Sequence, residues 1–302
     1  MTKKEQTYRS YIRKQKIVPY LFLGPNLIIF SIFIILPALI GIYYSFTNMT
    51  LFTFSVRDAD FIWFDNYKTL LQDKDFLAAL WNTIKLVIVT VPIMFVSSLM
   101  VAVLLVQPLK AKGFFRAIYY WPVMISAVVV GIIWQWILAG NYSLFNTVIK
   151  SLGFGVSQTL NDPTMAWWSV VFAIVWSRTG YYMIVFVAAL LSIPESLYEA
   201  ADMDGANKLQ KFRHITYPSL KAARLMVFIL VTMEVFKIYP LVVTLTGGGP
   251  FDATQFTVQY IYEMAFKKYQ VGLASSMSVI MLIIVTIFTA LNFFMSKRGE
   301  NK

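Results

Sequence analysis

Cysteine is missing from this chain, and His214 is the one histidine in 302 residues. Without thiols there is no disulfide, no thiolate zinc site and no cysteine nucleophile. A lone histidine is too few for an imidazole metal cluster. Charge is also scarce, at 14% of residues, against about a quarter in soluble domains. No soluble basic domain exists to carry nucleic acid, so the formal charge of +11 points to bases gathered on membrane loops. No internal sequence repeat is visible, which leaves an inverted-repeat carrier without support. No grouping of His, Asp and Glu suggests a membrane-embedded enzyme.

Apolar residues are plentiful, at 58%, and aromatics reach 17%. Long uncharged runs place the chain in the membrane class. The run over residues 17–56 carries no charge and is far too long for a cleaved signal peptide. The pattern predicts an all-α integral membrane protein with six spans, over about 20–46, 83–106, 117–138, 166–191, 225–245 and 271–295. Pro25 and Pro37 fall inside the first, where neighbouring helices can re-satisfy the freed backbone groups. The third opens on Tyr119, Tyr120 and Trp121 and closes on Trp134 and Trp136, rings that favour the headgroup level. The first loop, 47–81, sets five Asp against three bases, and the third, 139–165, has turn-forming composition and almost no charge.

Basic residues alternate sides across these spans. Seventeen Lys and Arg fall in the tail 1–19, the loop after the second span, the stretch between the fourth and fifth spans (the loop at 192–221 with Arg224 just beyond it) and the C-terminal tail, 297–302 in the expected division. Six fall in the other loops, with eight acids. The positive-inside rule therefore predicts a multi-pass cell-membrane protein with both termini and the 192–221 loop cytoplasmic.

That loop is the longest polar interruption in the second half of the chain. Pro194 can open a helix, since its missing N–H costs nothing in the first turn. Ser196-x-x-Glu199 fits a capping box and would start the helix slightly later. Leu197, Ala200 and Ala201 share one face. Asp204-Gly205 stops the helix, with glycine free to take the left-handed conformation. A second short helix carries Leu209, Phe212 and Ile215 on one side, and Pro218 ends it. Such a unit is too small to fold alone or to hold an active site. Local rules alone fit an amphipathic surface connector equally well.

The series Glu199-Ala200-Ala201, three residues, Gly205, nine residues, Ile215, two residues, Pro218 resembles the EAA loop of the membrane subunits of binding-protein-dependent ABC importers. The stretch from Tyr198 to Pro218 is similar to its version in the sugar permease family, which includes subunits for maltose, lactose, raffinose and glycerol-3-phosphate. Residues 190–194, the Thr246-Gly247-Gly248-Gly249-Pro250 segment and residues 260–266 extend the resemblance over essentially the whole chain. It departs at residues 268–272, where the family more often has a Tyr-Gly pair followed by small residues. The resemblance implies a type I ABC importer permease fold. It implies no catalysis and no cofactor in this chain, with ATP and Mg bound by two separate ATP-binding subunits. The remaining partners would be a second, related permease, an extracellular solute-binding protein, the sugar and membrane lipid. Glu199, Ala200, Ala201, Asp204, Gly205, Ile215 and Pro218 would transmit the ATPase motion. A non-sugar solute such as glycerol-3-phosphate is the alternative cargo. An ion-coupled carrier is the alternative class, and would call for more intramembrane acids or broken helices.

Three charges fall inside predicted spans: Arg178, Glu234 and Lys237. Charges at that depth face the bundle interior or a wet path. Glu234 and Lys237 are spaced for mutual neutralisation on one helix. Arg178 lies near Trp176, Tyr181 and Tyr182, which suits either sugar stacking or packing at a subunit interface. Residues 178, 181, 182, 234 and 237 are therefore the candidate solute path. The three glycines at 247–249 lack the Lys-Ser/Thr of a P-loop, so a flexible turn, in contact with the binding protein, is expected there. His214 is assigned no role.

Overall fold

The computed structural model describes residues 20, 22–53, 59–108 and 110–298, the side chains of 295–298 excepted. The basic tail 1–19 and the last four residues lie outside the described residues, with the charges assigned to them above. In chain order the helices are α1 (Phe22–Tyr44), α2 (Asp65–Gln72), α3 (Lys74–Val106), α4 (Lys112–Tyr120), α5 (Ala127–Leu138), α6 (Leu144–Ser151), α7 (Pro163–Leu191), α8 (Glu195–Met203), α9 (Lys208–Lys211), α10 (Tyr217–Ser219), α11 (Lys221–Phe236), α12 (Pro240–Leu245), α13 (Thr257–Tyr262) and α14 (Val271–Arg298). Among the described residues the only β pairing is an isolated antiparallel bridge between Thr47 and Phe61.

Four helices are single elements long and apolar enough to cross a membrane: α1, α3, α7 and α14. α4 and α5 pass that test together but bend by 101°. The expected continuous helix over 117–138 is therefore broken. A 3-10 turn, Trp121–Met124, holds Pro122; Ile125 is extended, and the Ser126 hydroxyl accepts from Val129 N to start α5. The expected helix over 225–245 is broken too. α11 ends at Phe236, Tyr239 leaves helical geometry, and Pro240 opens α12. Proline disfavours the helical region for the residue before it, so Pro240 was the available signal. The second and fourth helices start earlier than expected. Asp73 caps α3 by accepting from Asp75 N and Phe76 N, and Asp162 caps α7 by accepting from Met165 N.

Two π turns, Ser31–Ile35 and Phe212–Thr216, lie just ahead of Pro37 and Pro218. A proline ring crowds the carbonyl four residues back, and the wider turn relieves that clash. The helix consequently continues past Pro218 to Ser219, correcting the expectation that Pro218 ends it.

The chain forms two compact units. The first, residues 1–70 and 264–279, gathers Phe46 with Phe61, Phe64 and Tyr67 at ring separations of 5.4–6.0 Å. Asn66 Nδ2 donates to the carbonyls of Ser45 and Thr47. The second unit, residues 71–263 and 280–302, is built on α3, α7 and α11. Its core includes Leu86, Met94, Ile174, Met183, Phe186, Val227 and Val231. Phe95 stands edge-on to Phe186 at 5.4 Å.

Lipid is as apolar as leucine, so helices in a bilayer associate through close contact rather than escape from water. Small residues supply that contact here. A Cβ built on Gly180 would overlap the Tyr119 carbonyl oxygen of α4, and one on Gly131 would overlap the Thr244 hydroxyl of α12. Gly180→Val should cost about 1–3 kcal/mol by overpacking, read as a lower midpoint of thermal unfolding in detergent. An unchanged midpoint would contradict the α4–α7 contact.

Candidate functional site

Two regions concentrate polar groups, both in the second unit. One lies within the packed helices. Arg178 projects from α7 and its Nε meets Glu234 Oε1 of α11 at 2.8 Å. The hydroxyl of Tyr182, one turn along α7, donates to Glu234 Oε2 at 2.5 Å. Tyr182 is buried, whereas both charged side chains are about a third exposed. Glu234 is thus paired across helices with Arg178, not along its own helix with Lys237 as expected. The physical reason is the break: α11 stops at Phe236, and Lys237 leaves its face exposed. Tyr181 stands edge-on to Tyr182 at 5.1 Å but is half-exposed.

A small hollow beside the ion pair is lined by Ile125, Val130, Ser177, Arg178, Glu234 and Ile238. Ile125 comes from the α4–α5 break and Ile238 from the α11–α12 break. Both helix interruptions therefore meet at the ion pair between α7 and α11. Irregular backbone at membrane depth is tolerated where protein or a cavity covers it. Sequence reasoning found Arg178, Tyr182 and Glu234 from charge and aromaticity. It missed the convergence, because neither break was recognised.

The other region is the polar arm between α7 and α11. α8 starts at Glu195 with Pro194 as its N-cap and no side-chain cap, so the Ser196–Glu199 capping box does not form. A capping box closes instead at the second helix. Gln210 N donates to Asn207 Oδ1 at 2.9 Å, and Asn207 N donates to Gln210 Oε1 at 2.7 Å. The Asn-x-x-Gln spacing was legible in the sequence.

Gly205 takes φ +74° between the two helices, as expected. Glu199, Ala200 and Asp204 are exposed, and Ala201 and Ile215 half-buried. Ala201, Asp204, Gly205, Lys211 and Ile215 line an open concavity on the arm. Leu197, Met203 and Leu209 present apolar surface outward, Met203 at 90% exposure. The expected apolar side of the second helix is thus only partly covered, with Phe212 and Ile215 half-buried and Leu209 exposed.

Beyond α12, the glycine segment is pinned rather than flexible. Gly247 and Gly248 have φ +63° and +96°, a region that suits glycine. Gln259 Nε2 donates to Gly247 O, Thr254 Oγ1 to Gly249 O, and Asn82 Nδ2 to the carbonyls of Asp252 and Gln255. Tyr260 donates to Asp73 Oδ2 at 3.0 Å. Burial, then that carboxylate, pushes the Tyr260 hydroxyl well above the usual phenol range. Phe251 is left 91% exposed at the tip of this knot.

Comparison with known proteins matches residues 71–299 to the family described as a binding-protein-dependent transport system inner membrane component. The multiple sugar-binding transport system permease protein of Streptococcus mutans serotype c is 32% identical, over 92% of this chain and 95% of that protein. The diacetylchitobiose uptake system permease protein of Streptomyces coelicolor is 31% identical, over 93% of this chain and 84% of that protein. A chain of the bacterial alginate ABC transporter, in a crystal structure with an alginate pentasaccharide-bound periplasmic protein, has the same fold. Its TM-score is 0.82 at 23% identity, covering 96% of this chain and 97% of that one.

Removing one partner of the Arg178–Glu234 pair strands the other charge. Arg178→Met and Glu234→Gln should each destabilise, by about 1–3 kcal/mol given their partial exposure. The double variant should lose less than the sum of the two. Thermal unfolding of all four forms in detergent closes the cycle, and strictly additive losses would exclude the coupling.

Proposed function

We propose that this chain, which belongs to the family of binding-protein-dependent transport system inner membrane components, is one membrane subunit of an ATP-driven importer for a sugar, an oligosaccharide or related glycoside. The sugar class is supported by the solutes named for its relatives. The arm at 192–221 carries the reading of mechanism. It is exposed, hinged at a left-handed glycine, and continuous with α11.

Six crossings account for the chain: α1, α3, the bent α4–α5 pair, α7, the broken α11–α12 pair and α14. The permease domain extends over 20–296, between cytoplasmic tails at 1–19 and 297–302. The charge bias of the loops supports cytoplasmic termini and a cytoplasmic arm. A second permease of the same kind completes the pathway, since six helices enclose only half of it. Two separate ATP-binding subunits bind ATP and Mg and hydrolyse the nucleotide. An extracellular solute-binding protein delivers the sugar, as a periplasmic protein accompanies the alginate transporter.

In this mechanism α8 docks on an ATP-binding subunit. Closure of the two ATP-binding subunits moves Glu199, Ala200, Ala201, Asp204 and Gly205, and Ile215 and Pro218 carry the motion towards α11. The solute path runs past Arg178, Tyr181, Tyr182, Glu234 and Lys237. An ion pair that is already satisfied offers donors and acceptors to neutral hydroxyls without leaving a net charge to neutralise. The two states differ in their contacts with ATP-binding subunits and solute, as a ligand-driven shift requires.

Gly205→Pro cannot hold φ +74°, because proline is confined near −65°. It should leave the protein in the membrane fraction while abolishing ATP-dependent uptake of labelled maltose or diacetylchitobiose by cells expressing the whole transporter. Ala200→Trp should do the same by filling the docking face. Normal uptake with either change would refute the coupling role, and uptake that survives ATP depletion would favour an ion-coupled carrier. The cysteine-free chain allows single-cysteine labelling. An impermeant thiol reagent applied outside intact cells should reach Asp252→Cys and not Ser196→Cys; the reverse would invert the orientation.

A further inference from the structure

The two sides of the arm are tied at two levels. Near the tip, Lys211 Nζ pairs with the Asp202 carboxylate. Nearer the base, the Tyr198 and Thr216 hydroxyls are 2.9 Å apart. On α8 the tie residues, 198 and 202, are four apart, one α-helical turn. On the returning side, 211 and 216 are five apart. In a regular α-helix the residue in line with Lys211 would be Ile215, an apolar side chain that cannot complete the tie. The π turn Phe212–Thr216, with Tyr217 N bonded to Phe212 O, lengthens the hydrogen-bond step from four residues to five. Thr216 comes into line instead, and its hydroxyl also reaches Lys211 O at 3.4 Å. Above the ties, the Arg224 guanidinium lies 3.6 Å from the centre of the Tyr217 ring, joining the top of the arm to α11.

Apart from the ties, α8 meets the returning side through the turn around Gly205 and the open concavity where Ala201 and Ile215 are half-buried. A Cβ on Gly205 would meet nothing within 4 Å, so the turn is held by short-range backbone bonds, Gly205 N to Asp202 O and Ala206 N to Ala201 O, rather than by side-chain packing at its apex. Neither the turn nor the concavity fixes the far end of α8 to the returning helix, so without the ties a push on α8 would be partly taken up by bending at the turn. We propose that Tyr198, Asp202, Lys211 and Thr216 are positioning residues that lock the two sides of the arm into one lever, with the π turn setting their register. This inference rests on the coupling reading above and adds to it the four residues that deliver displacement of α8 to α11. The two ties are unequal. Asp202 is largely exposed, and exposed ion pairs contribute little. Thr216 is buried, at 7% exposure, so the hydroxyl pair carries more.

Amide hydrogen exchange on the assembled transporter, with and without ATP, Mg and orthovanadate, separates the possibilities. In the unmodified protein the nucleotide should change exchange in α8, in 208–219 and in α11 together. In Tyr198→Phe/Thr216→Val the α8 response should persist, while that of α11 falls by about fivefold or more, the lower end of ordinary coupling factors. A simple loss of fold would raise exchange without nucleotide and would not separate α8 from α11. Asp202→Lys should weaken the α11 response, and Asp202→Lys/Lys211→Asp should restore it. An α11 response equal to wild type in Tyr198→Phe/Thr216→Val/Asp202→Asn overturns the lever, and a charge swap that restores nothing overturns the tip tie. If α8 itself is silent to nucleotide in the unmodified transporter, the coupling reading fails, a result distinct from a responsive α8 with an indifferent α11.

Discussion

Inside hydrocarbon, a backbone N–H or C=O without a partner costs several kcal/mol, and no water is present to supply one. This constraint explains why the described chain is helical throughout its apolar runs, and where it ceases to be. Each interruption has its own local chemistry: Pro122 and the Ser126 cap at the first, Pro240 at the second. The prolines at 37 and 218 do not break their helices, because a π turn ahead of each makes room for the ring. The same residue type thus ends one helix and passes through another, according to what the preceding turn can do.

The two interruptions acquire meaning from their meeting place. They approach each other where Arg178, Glu234 and Tyr182 form a satisfied polar cluster. Charge at such depth is costly, and is kept where it serves a site or holds helices together. Close contacts at Gly131 and Gly180 hold the half-helices around this cluster. A polar centre, small-residue contacts and broken helices are therefore one arrangement, in which α7 is common to the ion pair and to the α4 contact.

At either end of the broken α11–α12 pair polar ties add to the apolar packing of Leu220, Leu245 and Phe256. At one end the arm is cross-linked by Tyr198, Thr216, Asp202 and Lys211. At the other, the glycine segment is held by Asn82, Thr254 and Gln259. Short segments bury too little apolar surface to order themselves, so directional bonds do that work.

Membrane class, helical fold and the candidate arm were legible because they depend on composition and short-range spacing. Apolar runs of bilayer length, the loop charges, and the Glu199-Ala200-Ala201 to Pro218 pattern can be read one residue at a time. The left-handed Gly205 followed from local rules and stands. Other local readings failed where local rules compete: Ser196–Glu199 and Asn207–Gln210 both fit a capping box, and only the second closes. The partner of Glu234 was not legible. The sequence offers Lys237 three residues away, whereas the chosen partner, Arg178, is brought from another helix once α11 ends at Phe236. Sequence by itself determined that this chain is helical in a membrane and where its polar arm lies, since those follow from transfer energies and local backbone preference. Tertiary structure alone decided which charges pair, where the helices break together and how the arm is tied, because those choices depend on groups far apart in the chain meeting in space.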